Sequence, residues 1–192
     1  MSTIYFITHP EVIVDPALPV PEWHLSDNGV ARMTRFAASD AMRGVKFIWS
    51  SAETKAIEAA EILGRRHELD ISAIQALHEN DRSATGFLPP AEFEQVADAF
   101  FAQPHESVRG WERAIDAQTR VCGVFEGIAS NDLPGDIAIV AHGAVGTLLL
   151  CHLSALPISR TYDQPFQGHY WAWSKATQTV LHGWREIAPR QG

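Results

Sequence analysis

The chain has 192 residues, of which 46% are hydrophobic and 20% charged, proportions of an ordinary globular protein that exclude global disorder. A formal net charge of −8, with no basic cluster beyond the pair Arg65-Arg66, argues against nucleic acid and anionic membrane as partners. No apolar run approaches the ~20 residues of a membrane-spanning helix. The two cysteines, Cys122 and Cys151, lack the spacing of a disulfide framework or zinc ribbon, which makes a reducing cytoplasm the simplest compartment.

The opening residues lack the basic start and long apolar stretch of a signal peptide. Ile4-Tyr5-Phe6-Ile7 predicts a buried strand that stops at Thr8-His9-Pro10. Four prolines between residues 10 and 24 predict a surface loop. Ser26 reads as the N-cap of a helix with Val30, Met33 and Ala37 on one face, running to about residue 41. Val45 to Trp49 predicts a second strand, which enters Ser50-Ser51 and a helix carrying Ala56, Ile57, Ala60 and Leu63. A third strand is expected over Ile71 to Leu77, and a loop from His78 to Pro90. A short helix follows at Ala91 to Phe101. The longest helical stripe runs from Trp111 to Ile128, ending near Asn131. Asp136 to Ala141 is the clearest buried strand, and after His142-Gly143 comes an apolar helix with Val145, Leu148, Leu149 and Leu153. Tyr170 to Ser174 and Thr179 to Trp184 alternate like a hairpin.

Strands alternating with helices predict a layered α/β domain with a mainly parallel sheet, whose ligands sit at the carboxyl ends of strands. Two strands end in histidines, His9 and His142, and a third ends in Ser50-Ser51. Two histidines at the ends of buried strands can enter one crevice. Imidazole is a nucleophile as well as a base, and it can accept a phosphoryl group if donors surround the oxygens and an acid serves the leaving group. Other chemistries lack their motifs: there is no G-x-S-x-G elbow and no Walker loop, and His78-Glu79 lacks a second metalloprotease histidine. Trp171 and Trp173 at alternate strand positions read as sheet packing, not as a base-stacking platform.

In collinear order, Thr8-His9-Pro10-Glu11, Leu25-Ser26-Asp27-Asn28-Gly29, Ser50-Ser51-Ala52-Glu53-Thr54-Lys55-Ala56, Ala60-Glu61-Ile62-Leu63, Leu77-His78-Glu79, Glu106-Ser107, Arg120-Val121 and Val140-Ala141-His142-Gly143 cover nearly the whole chain. This series resembles the histidine phosphatase, or phosphoglycerate mutase-like, superfamily. The resemblance implies a three-layer α/β/α sandwich forming one domain over residues 1–192, with a small cap segment around 80–104. It also implies hydrolysis of a small phosphorylated substrate without metal or organic cofactor. His9 would be the phosphorylated nucleophile, Glu79 the general acid, and His142 a phosphate ligand.

The departures concern the phosphate grip. The family holds its phosphoryl group with two arginines and two histidines. Here Thr8 stands in place of the first arginine and Lys55 in place of the second, which keeps a charge but not a two-pronged fork. Pro10 replaces a glycine. Thr8, Lys55, Arg82 and Gly143 are the expected substrate-binding set, with Arg82 a candidate substitute for the lost guanidinium and Arg160 a weaker one. The rival reading is a catalytically inactive phospho-ligand-binding module on the same fold. Metal binding through His9, His142 and a nearby carboxylate ranks below both. Oligomeric state is not legible in the sequence.

Overall fold

Neighbouring residues of a strand face opposite sides of a sheet, so the apolar runs at both ends of this chain predict a sheet buried on two faces. The computed structural model, which describes residues 2–190, shows that arrangement. Strands β1 (Thr3–Thr8), β2 (Val45–Ser51), β3 (Ile71–Ile74), β4 (Asp136–Ala141), β5 (His169–Ser174) and β6 (Thr179–Glu186) form one sheet in the order β3-β2-β4-β1-β5-β6. The first four strands in that order are parallel, and β5 and β6 extend the sheet as an antiparallel edge. Of the five helices, α1 (Asp27–Ala37), α2 (Thr54–His67), α4 (Ala114–Ala129) and α5 (Gly143–Leu153) pack over its faces, whereas α3 (Pro90–Ala102) lies against the turns Val108–Gly110 and Arg160–Tyr162.

On one face, Ile4 and Phe6 of β1 and Ile137, Ile139 and Ala141 of β4 pack with Val121 and Phe125 of α4 and Leu148 and Leu149 of α5. Phe6 stacks on Trp171 of β5, with ring centroids 5.1 Å apart. On the other face, Ile7, Ala138 and Val140 meet Met33 and Phe36 of α1 and Ala56, Ala59 and Leu63 of α2. Each large side chain buried in this way contributes roughly 1.5–3 kcal/mol. No helix among the described residues is long and apolar enough to cross a membrane.

Two connections fix the loop that leaves β1. Ser26 caps α1 by accepting from the Gly29 amide at 3.1 Å. Gly29 has no tolerable replacement there, because a Cβ would collide with the Glu11 carbonyl. Arg32, fully buried, donates through Nη1 to Glu11 Oε2 at 2.7 Å and to the Gln167 carbonyl at 2.9 Å, and through Nε to the Ala188 carbonyl at 2.8 Å. One guanidinium thus joins the loop after β1, the segment before β5 and the chain after β6.

The expected elements are all found, with three boundary corrections. The first helix ends at Ala37, not near residue 41, because Ser39 is extended and a separate 3₁₀ turn spans Asp40–Met42. The third strand ends at Ile74, and Gln75–Leu77 turns into a 3₁₀ helix. Leu77 is buried all the same, which is why its apolar character reads as a continuing strand. The long helix begins at Ala114, not Trp111. Trp111 is buried from a turn at Val108–Gly110, so the apolar stripe extends beyond the helical backbone.

Candidate active site

The sheet register brings the two histidines together. Thr8 pairs with Ala141 in the parallel β1–β4 ladder, so the next residue of each strand, His9 and His142, lie side by side with ring centroids 5.3 Å apart. The His9 amide donates to the Ala141 carbonyl at 3.1 Å. His9 Nδ1 lies 2.9 Å from the Pro10 carbonyl. A carbonyl only accepts, so Nδ1 carries the proton and Nε2 keeps its lone pair. Burial, reinforced by the Lys55 charge, pushes the His9 pKa down to about 4, leaving the ring neutral near pH 7.

His142 is completely buried, and burial likewise drives its pKa well below the ordinary value. Ser50 pairs with Val140 in the β2–β4 ladder, which sets Ser51 beside the end of β4. His142 Nε2 is hydrogen-bonded to the Ser51 hydroxyl at 2.8 Å and lies 3.5 Å from Glu53 Oε1. His142 Nδ1 has no partner among the described residues.

Two carboxylates hold the groups that would serve an anion. Glu53, at the corner between β2 and α2, forms a buried ion pair with Lys55 Nζ and accepts the Glu79 amide at 2.9 Å. Burial opposes its charge, but the Lys55 ammonium, with hydrogen bonds from Lys55 and the Glu79 amide, outweighs it and holds the carboxyl below the usual carboxylate range. Since His142 is neutral, the Lys55 ammonium is the partner that keeps Glu53 ionised. Lys55 in turn donates to the Val20 carbonyl at 2.9 Å. Glu79 sits at the N-terminus of α5, accepting from the Ala144 amide at 3.2 Å and the Val145 amide at 3.1 Å. Burial raises its pKa despite those donors and the nearby Arg82.

His9, Lys55, Glu79, Arg82 and Gly143 open on one cavity of about 490 Å³. Among its described cationic walls, Lys55 is paired with Glu53, and Arg160 with Glu94 and Asp98. Arg82 has no carboxylate partner; its guanidinium lies over the Phe93 and Trp111 rings, at 5.1 and 5.7 Å from their centroids. Thr8 is placed differently from the others: its fully buried hydroxyl donates to Gln164 Oε1 at 2.7 Å and accepts from the His169 amide at 3.0 Å.

Glu53 and Gln164 are site residues that the sequence reading did not single out. For Glu53 the available signal was a carboxylate two residues from a lysine at a strand–helix corner. Gln164 offered none, being 156 residues from Thr8. Gln164 Nε2 borders the cavity where Gly143 leaves room; a Cβ on Gly143 would collide with that amide.

A model of the Histidine phosphatase superfamily (branch 1) matches residues 19–180. Among solved structures, the chain is similar to YhfR of Bacillus stearothermophilus, with 21% identity, TM-score 0.80 and coverage of 95% of each chain. It is also similar to a mycobacterial glucosyl-3-phosphoglycerate phosphatase, with 18% identity, TM-score 0.74 and coverage of 100% of this chain and 99% of that one. A third similar structure is a phosphoserine phosphatase variant from Entamoeba histolytica in complex with phosphoserine, with 12% identity, TM-score 0.80 and coverage of 97% and 98%. A search of curated proteins gives no significant match.

Proposed function

Because the chain belongs to the histidine phosphatase superfamily, we propose that it hydrolyses phosphate monoesters through a phosphohistidine on His9. The observation that carries this reading is the pairing of a neutral His9, its Nε2 free, with His142 at the ends of the two central parallel strands. In the first step His9 Nε2 attacks phosphorus, the bond from phosphorus to the alcohol oxygen breaks, and Glu79 gives that oxygen its proton. In the second, water attacks phosphorus, passes a proton to Glu79, and the N–P bond breaks to release inorganic phosphate. Arg82, Lys55 and Gly143, which line the cavity, would serve the phosphoryl oxygens, and His142, fully buried behind them, would join them once the ligand displaces its Ser51 hydrogen bond. Residues 80–104 act as a cap over a single domain, and the free, buried Cys122 and Cys151 suit a reducing cytoplasm.

A second reading is favoured by one observation. Glu53 and Glu79 occupy Lys55 and the amides of α5, the donors a phosphoryl dianion would use. A chain whose own carboxylates fill these positions could bind a phosphorylated ligand without turning it over. The pH dependence of turnover on an aryl phosphate separates the two. His9 must be neutral, so its lowered pKa places the acid limb near pH 4. Glu79 must be protonated, so activity falls as pH rises through its raised pKa. After correction for the substrate's own ionisation, kcat/KM should peak on the acidic side. A rise with midpoint near 6.5 would instead mark an unperturbed histidine, and no turnover at any pH would leave the binding module.

A further inference from the structure

The same cavity bears on what is attached to the phosphate. Beyond His9 its lining turns aromatic: Trp23 and Phe87, with ring centroids 5.9 Å apart, border it together with Phe93, Phe100, Trp111 and Phe166. Most of these come from the cap and from the segment before β5, so they surround the part of a ligand that lies away from the strand ends. Val14, at the mouth, is 55% exposed although apolar, and a ligand filling the cavity would cover it. The charged groups of the opposite wall are already engaged. Arg160 is held by Glu94 and Asp98, and Asp163 Oδ1 accepts the Thr147 hydroxyl at 2.7 Å and the Gln164 amide at 2.8 Å. The Gln164 and Asn80 side-chain amides keep N–H donors, fewer groups than a polyhydroxylated substrate would need, and an anionic tail would need a free cation.

We propose that the substrate is the phosphate monoester of a bulky apolar alcohol, gripped mainly through its organic part by the aromatic cap and the loop after β1. This rests on the hydrolytic reading above and goes beyond it. The volume suits the class: about 490 Å³ lies within the ~300–1,000 Å³ of sites that enclose drug-sized ligands. The balance of forces suits it too. The phosphate subsite has one cation, Arg82, that no carboxylate claims among the described residues, so binding must draw more on apolar burial than on charge.

The test compares primary alkyl phosphates that differ in the tail: propyl phosphate, 3-phenylpropyl phosphate and glycerol 3-phosphate. Burying a phenyl ring at ~25 cal/mol per Å² predicts kcat/KM about 30- to 100-fold higher for the phenylpropyl ester than for the propyl ester, mostly through KM. Glycerol 3-phosphate should be the poorest of the three. Phe87→Ala should narrow the phenylpropyl-to-propyl ratio at least threefold. Calorimetric binding of 3-phenylpropylphosphonate against methylphosphonate gives a readout independent of chemistry, and the former should bind at least tenfold tighter. Equal kcat/KM for the three esters, or a preference for glycerol 3-phosphate, would overturn the substrate class while leaving hydrolysis standing. Absence of turnover with tight phenylpropylphosphonate binding would overturn hydrolysis and uphold the apolar ligand. Equal binding of the two phosphonates would reject it.

Discussion

Glu53→Gln is expected to bind inorganic phosphate and vanadate about 10- to 100-fold more tightly than the unaltered protein. In the present structure Lys55 is neutralised by Glu53, which is itself buried and ionised. Glutamine removes the charge but keeps an oxygen to accept the Glu79 amide. The ammonium is then free for a phosphoryl oxygen, and a hydrogen bond to a charged group contributes roughly 1.5–3 kcal/mol. The same change should weaken the ligand-free fold, because removing one partner of a buried ion pair costs about 3–5 kcal/mol. Phosphate would then replace the missing counter-ion. At a phosphate concentration 100 times the Kd of Glu53→Gln it should restore about 2.7 kcal/mol there but only about 0.4–1.4 kcal/mol in the parent chain, whose Kd is 10- to 100-fold higher, so its effect on Tm should be larger for Glu53→Gln. Equal phosphate affinity in two well-folded proteins would show that Lys55 lies outside the phosphate subsite.

Glu79→Gln should slow hydrolysis of alkyl phosphates by about 10²–10⁴-fold, and that of nitrophenyl phosphate far less, because an acidic phenol leaves without protonation. The residue suits the acid role because burial raises its pKa and it lines the cavity beside His9. Glutamine still accepts from an α5 amide, so the structural loss should be confined to the charge at the helix N-terminus, about 0.3–1 kcal/mol. Equal losses on both ester types would reduce Glu79 to a cap of α5.

What the sequence shows and what it hides follow from the range of the forces involved. The strands and the two histidines were legible because alternation and buried apolar runs are local, and because the parallel pairing of β1 with β4 makes equivalent positions neighbours. Leu77 and Trp111 misled the boundaries for the reverse reason: a side chain can reach the core from a turn as well as from a strand or helix. The arginine deficit at Thr8 and Lys55 was visible, but its consequence was not. At position 8 the hydroxyl is locked between Gln164 and β5, so an arginine there would have to displace Gln164 and could not simply fill a gap. At position 55 the charge is retained but paired with Glu53, a contact set by the corner between β2 and α2. Arg82 took its place in the cavity through stacking on Phe93 and Trp111, which lie 11 and 29 residues further along the chain and belong to none of the motifs.

The central claim is that His9 is the nucleophile, and covalent trapping tests it most directly. The protein is mixed with ³²P-labelled nitrophenyl phosphate, quenched with alkali within the first turnover and digested for mass analysis. A label that survives alkali, is lost in mild acid, maps to the peptide holding His9 and is absent from His9→Ala is the predicted result. An unlabelled protein that still releases phosphate, or the same label on His9→Ala, would contradict it.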